Sequence, residues 1–298
     1  MSRISTDSPH TNLGLIVVVA TATSISFSNI LSPVVFGLGS NPETLLVCRF
    51  ASFLLVCSFW LKVQNIPLAV GRRERMHCVG AGFAYAVGSA SLLAAFAMIP
   101  VSLAVLILYT FPLITRLIES ALDRRRPTLQ ELASLVAALV GLAICLGVGT
   151  DRLNGTGLAF AFLAAVAISC SFVWTSRKLQ SVPSPVMTAY MAGTGSIMML
   201  VLTLATDAWA LPPLEPMAAA LMAAAVLSFA GAFLGMFLGV RLIGASRTAM
   251  MMNLEPVLTL FLAVLLLNEE LSAHQFLGAA LVIAAVIAAQ IWGPAKRL

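Results

Sequence analysis

Apolar runs of about twenty residues follow one another along this chain, separated only by short breaks. Ten such windows lie near 14–36, 43–61, 77–97, 102–122, 129–149, 156–176, 185–206, 217–240, 247–267 and 273–292. A helix needs roughly 20 apolar residues to cross the hydrocarbon core of a bilayer. Inside that core every backbone N–H and C=O must find its partner within the protein, which a helix achieves by itself. The runs therefore predict an all-α polytopic membrane protein with ten spans. Composition agrees: 60% of the 298 residues are hydrophobic and 10% are charged, against about 25% charged in soluble domains. A water-soluble fold of this length could not cover that much apolar surface, and the connections leave no room for a separate soluble domain.

The polar segment Met1 to Asn12 precedes the first run, which is too long for a signal-peptide core and is read as a retained first helix. Cys48, Cys57, Cys78, Cys145 and Cys170 fall in or beside spans, with neither disulfide nor metal spacing. The sequon Asn154 to Thr156 sits in a tight loop and carries no meaning in a chain that looks bacterial. No phosphate-binding glycine loop, catalytic carboxylate pair or His/Cys cluster is present, so no enzyme chemistry, cofactor or metal is expected.

The net charge of +5 is informative through its placement. With both termini in the cytoplasm, the inner ends carry Arg3, Lys62, Arg72, Arg73, Arg75, Arg124, Arg125, Arg126, Arg177, Lys178, Arg241, Arg247, Lys296 and Arg297, and the outer loops carry only Arg152. Lysine and arginine bias sets orientation, and it predicts cytoplasmic termini in a bacterial inner membrane. These clusters need no nucleic acid to explain them. Positive-inside flanks account for them, with some attraction to anionic lipid head groups as a by-product.

The two halves of the chain resemble each other. Shifting by 143 lays Gly14, Ile25, Ser26, Ser28 and Pro42 on Gly157, Ile168, Ser169, Ser171 and Pro185. Shifting by 144 lays Ile99, Ser102 and Pro112 on Ile243, Ser246 and Pro256. Five spans per half is an odd number, so the second half must enter the membrane upside down relative to the first. Such inverted repeats accompany alternating-access transport around a central cavity.

Within this frame Glu255 stands out. It lies in an apolar span directly before Pro256, and Pro112 holds the matching place in the first half. A carboxylate at that depth costs about 2.5–3.5 kcal/mol on insertion scales and normally faces a cavity or a partner. Proline removes a backbone hydrogen bond and kinks the helix there. Glu255 is a candidate for proton coupling, and Arg49, in the second span, either snorkels outward or pairs with a buried acid. Ser24, Ser28, Asn29, Tyr85, Tyr109, Ser169, Trp174 and Asn253 are candidates to line a substrate cavity, against the plainer reading that hydroxyls bond their own or neighbouring helices. Gly231, Gly235 and Gly239, spaced by four, predict close packing of the eighth span. The fifth and tenth spans read as peripheral, facing lipid or another copy, so Gly278 should tolerate a larger side chain better than Gly235. Arg116 and Glu119, three apart, are expected to pair.

The segments LYTFPLITRLIESALDRRRPTLQE (108–131) and NLEPVLTLFLAVLLLNEELSAHQFLGAALVIAAVI (253–287) resemble the EamA-type repeat of the drug/metabolite transporter superfamily. The likeness runs from Leu13 to Ile291. It is most specific where the second half reads proline, apolar helix, Glu269-Glu270, Leu271, Gln275, Gly278. In the first half Arg124 to Arg126 replace the acidic turn and Ser134 stands in place of Gly278. The resemblance implies repeats over 13–150 and 151–293, with cytoplasmic tails 1–12 and 294–298. It also implies a ten-helix carrier, monomeric or homodimeric, that exports small metabolites. Amino acids or their derivatives are the first expectation, amphipathic drugs, organic cations or nucleotide-sugar-like solutes the second. A membrane enzyme or scaffold is the reading from a different class.

Overall fold

The computed structural model describes residues 9–147, 154–213, 215–267 and 272–292. Arg3, Gly149, Asp151, Arg152, Glu269, Glu270, Leu271, Lys296 and Arg297 lie outside the described residues. The described chain folds into α1 (Pro9–Gly37), α2 (Pro42–Val63), α3 (Arg72–Phe96), α4 (Val101–Leu108), α5 (Phe111–Asp123) and α6 (Leu129–Leu146) in the first half. The second half holds α7 (Gly155–Lys178), α8 (Ser184–Ala205), α9 (Pro216–Ile243), α10 (Ala245–Met252), α11 (Leu254–Leu267) and α12 (Ala273–Trp292).

Local chemistry sets the ends of these helices. Asn41 caps α2 by accepting the Thr44 N–H at 2.8 Å, with Pro42 at the first helical position. Thr128 and Glu131 form a capping box on α6, and Gly147 ends that helix in the left-handed region at φ 55. Asn154, the sequon residue, caps α7.

The fourth and ninth expected spans are each two helices. A proline ring clashes with the carbonyl four residues earlier and cannot donate to it. Four before Pro112 is Leu108, the last residue of α4; four before Pro256 is Met252, the last of α10. Both breaks thus fall where the two prolines place them. Counting α4 with α5 and α10 with α11, nine segments among the described residues are long and apolar enough to cross a membrane, and the apolar helix over Ala273–Ala289 is the tenth.

The halves pack as a pseudo-two-fold pair. The principal helix contacts come in matched couples: α1 on α9 with α3 on α7, and α2 on α9 with α3 on α8. Two further contacts, α2 on α8 and α6 on α12, are their own counterparts. The match extends to single atoms. Ser28 Oγ donates to the Ala225 carbonyl at 2.6 Å, and its equivalent Ser171 to the Ala81 carbonyl at 2.8 Å. Ser26 Oγ donates to the Glu255 carbonyl at 2.8 Å, and its equivalent Ser169 to the Phe111 carbonyl at 2.9 Å. Ala225 and Glu255 lie 144 positions beyond Ala81 and Phe111. Each half thus uses its first span to hold the carbonyl that precedes the proline of the other half.

Small residues set the closest approaches, though not all those expected. A Cβ on Gly235 would strike the Thr21 hydroxyl and one on Gly239 would strike Val18, so α9 seats on α1 there. Gly231 is exposed with nothing within 4 Å, so the packing face begins one turn later than the four-residue spacing suggests. Gly278 departs from expectation in the other direction. Its α-carbon is buried against α6, and a Cβ would lie 2.5 Å from the Cys145 nitrogen and 2.6 Å from the Gly141 carbonyl oxygen. The fifth and tenth spans face each other there, backbone to backbone.

Candidate functional site

The break in each proline-bearing span turns its polar residues toward the middle of the molecule. In the second half, Glu255 opens α11. Its Oε1 accepts from Asn29 Nδ2 at 2.9 Å, and Tyr109, at the first-half break, interacts with the same carboxylate. Two halves and three spans therefore meet on one acid. Arg49 neither snorkels nor closes an ion pair with it. Its Nη2 donates to the Ser28 carbonyl at 3.1 Å, to Ser28 Oγ at 2.7 Å and to Ser32 Oγ at 2.8 Å. The guanidinium lies over the Phe229 ring, 5.0 Å from its centroid. Serines one turn apart on α1 make this possible, because their hydroxyls stack along one face.

Apart from Asn253 opposite Tyr109, this polar locus has no polar counterpart across the pseudo-two-fold. The positions equivalent to Asn29, Arg49, Tyr85, Tyr109 and Glu255 are Phe172, Ala192, Phe229, Asn253 and Phe111. There the rings of Phe111 and Phe172 meet edge to face at 5.6 Å, and Phe172 continues to Phe237 at 5.7 Å. Tyr85 joins this aromatic core, with centroids 4.9 Å from Phe233 and 5.8 Å from Phe237. The backbone is duplicated while the carboxylate is not.

The remaining candidates fall into place individually. Ser24 donates to the Ser228 carbonyl at 2.8 Å. Ser28 and Ser169 are wholly buried, their hydroxyls given to neighbouring carbonyls. Asn253, buried at the second break, donates to Met250 Sδ at 3.6 Å. Trp174 is a correction: it stands on the outer face with 38% of its surface exposed, and its Nε1 donates to His77 Nδ1 at 3.2 Å. Gly80 on α3 leaves the space that draws the indole outward, since a Cβ there would sit 2.9 Å from the ring.

A cavity of ≈ 300 Å³ opens at the end of the molecule where α5 finishes and α10 begins, and both halves line it. Pro112 and Met250 form part of its lining, so it reaches the two helix breaks. Charges surround it. Arg116 takes Glu131 at 2.7 Å rather than Glu119, correcting the pairing expected from spacing. Glu131 wins because it is already fixed as the capping residue of α6, accepting the Thr128 N–H at 2.9 Å. Glu119 instead accepts a hydrogen bond from Ser246 of the other half. Asp123 pairs with Arg177 at 2.7 Å, again across the halves. Spacing could not reveal these partners because each lies on a different helix. At the opposite end Ser40 and Asn41 donate to the Ala210 and Ala208 carbonyls at 3.0 and 2.5 Å, and Thr44 Oγ1 accepts the Ala210 N–H at 2.8 Å. These bonds tie the first half to the loop beyond α8.

Comparison with known proteins agrees with this architecture. Residues 12–147 and 155–289 each match the EamA-like transporter family. The chain is 26% identical over 257 residues to the uncharacterized transporter YcbK of Bacillus subtilis, spanning 82% of this chain and 81% of that one. It is 24% identical over 227 residues to the uncharacterized transporter sll1319 of Synechocystis, covering 75% and 69% respectively. One crystal structure shares the fold with a TM-score of 0.77 at 18% identity, over 94% of this chain and 97% of that chain.

Proposed function

The chain belongs to the EamA-like transporter family, and from that premise we propose that it exports small metabolites by alternating access, with amino acids or their derivatives as the first class of solute. The observation that carries this reading is the unequal state of the two ends of one pseudo-symmetric body. One end holds a charged cavity shared by both halves; the other is tied across the halves by Ser40, Asn41 and Thr44. Inverted repeats that rock about a fixed site exchange such ends. In this reading the cavity faces the cytoplasm of a bacterial inner membrane, since Arg177 and Arg247 are among its lining residues and basic flanks stay inside. A lining that mixes acids and arginines suits a solute carrying both charges better than one with a single charge.

Glu255 is the coupling candidate, as the carboxylate joined to both halves and absent from the equivalent position. The test is a thermal-shift screen of purified protein against amino acids, nucleosides and organic cations, followed by flux of the hits in liposomes. Stabilisation and saturable flux of an amino acid or derivative, without chemical conversion, is the expected result. Flux confined to organic cations moves the assignment to the second class of solutes. Conversion of the solute, or hits without flux, rejects the carrier reading.

A further inference from the structure

The outward placement of Trp174 builds a second groove, separate from the charged cavity. It measures ≈ 310 Å³ and is walled by Ile118 and Leu122 of α5, Val173 of α7 and the Trp174 indole; the aliphatic stems of Arg177 and Lys178 complete an apolar lining at the α7 terminus, with their charges beyond its rim. The indole is a fixed wall: its N–H is held by His77 and its ring rests where Gly80 carries no side chain. Leu122 is 59% and Trp174 38% exposed, so the groove is open sideways along the helices, toward the bilayer.

We propose that this groove binds an anionic phospholipid, with an acyl chain along the apolar wall and the phosphate on Arg177 and Lys178. Charge complementarity selects the occupant. Arg177 spends Nη1 on Asp123 and keeps further N–H donors in its planar fork, while Lys178 takes part in no ion pair among the described residues. A zwitterionic lipid brings its own cation to that phosphate; an anionic lipid does not. The tryptophan stands at the level of the basic flank, as interfacial aromatic residues do. Arg177 also lines the charged cavity, and Asp123 belongs to the other half. The phosphate therefore takes the remaining donors of a guanidinium that also holds Asp123, beside a contact that joins the two halves at the charged cavity.

Replacing Trp60, Trp209 and Trp292 with phenylalanine leaves Trp174 as the single fluorophore in vesicles of phosphatidylcholine. Phosphatidylglycerol with brominated acyl chains is then titrated against brominated phosphatidylcholine, which quenches only on contact. Quenching by the anionic lipid is expected at a mole fraction at least about fivefold lower. Lys178→Gln should reduce that preference roughly fivefold, the scale for one basic residue at a membrane surface, and Asp123→Asn should raise it. Equal quenching by both lipids overturns the site, as does an anionic preference that Lys178→Gln leaves unchanged. Release of quenching by soluble glycerol phosphate also overturns it, by showing a free-anion site. Should the three-phenylalanine background not fold, native mass spectrometry of the wild-type chain and Lys178→Gln against the same two lipids decides by the same criterion. None of these readouts depends on transport.

Discussion

Glu255 is the proposed coupling residue. Its backbone carbonyl is held by Ser26, a bond duplicated at Phe111, while its side chain answers to Asn29 and Tyr109 and has no duplicate. Glu255→Gln keeps an oxygen to accept from Asn29 and removes titration. The variant should fold and bind ligand, lose flux driven by an imposed pH gradient, and retain exchange of solute for solute, because exchange moves no net proton. Unchanged gradient-driven flux would reject coupling through this acid. The paired serines allow a second test at the same scale. Ser171→Ala removes one interhelical bond, worth about 0.6 kcal/mol on average in membranes. Ser28→Ala removes the equivalent bond and also an acceptor of the Arg49 guanidinium, and bonds to charged groups are worth about 1.5–3 kcal/mol. Ser28→Ala should therefore destabilise the protein by roughly 1 kcal/mol more than Ser171→Ala in detergent unfolding. Equal losses would mean that Ser32 and the Ser28 carbonyl suffice for Arg49.

Among the elements, glycine contacts rank the helix seams by what stands opposite each α-carbon. Gly278 faces backbone atoms of α6, which cannot rotate away; Gly235 faces the Thr21 side chain, which can; Gly231 faces open space. Gly278→Leu should prevent stable folding or cost more than ~3 kcal/mol, beyond the usual range for overpacking. Gly235→Leu should fall within that range, about 1–3 kcal/mol. Gly231→Leu should stay within ~0.5 kcal/mol, as an exposed change does. Thermal melting and detergent-solubilised yield give the order. A Gly278→Leu protein as stable as wild type would mean that α6 and α12 separate freely.

For the molecule as a whole, orientation is the property most open to direct test. Reporter fusions after Arg75, Arg126, Lys178 and the C-terminus should all read cytoplasmic, because each ends or follows a basic flank. The fusion at Lys178 is the decisive one. It follows the sixth span, so a periplasmic signal there would contradict five spans per half, and with it the inverted relation that pairs Ser28 with Ser171. A periplasmic signal at all four positions would instead keep the fold and reverse the proposed direction of the charged cavity.

Much of this architecture was legible in the chain itself. Hydrophobic length identifies the spans because a helix satisfies its own backbone in a bilayer and needs about twenty apolar residues to cross it. The repeat was visible through shifts of 143 and 144. Pro112 and Pro256 marked the two breaks, because their effect is confined to one helical turn. These are local or periodic properties, written along a single strand of sequence. What required the tertiary structure was every choice of partner between helices. Spacing on one helix paired Arg116 with Glu119, but a capped Glu131 on α6 stood closer. A polar tryptophan in an apolar span suggested the cavity, but the vacancy at Gly80 turned it outward. Gly278 looked peripheral until α6 lay against it. Arg49 found two serines and a phenyl ring rather than an acid. A residue's neighbours across a bundle depend on helix rotation and depth, which many small contacts set together, and no single stretch of sequence encodes that sum.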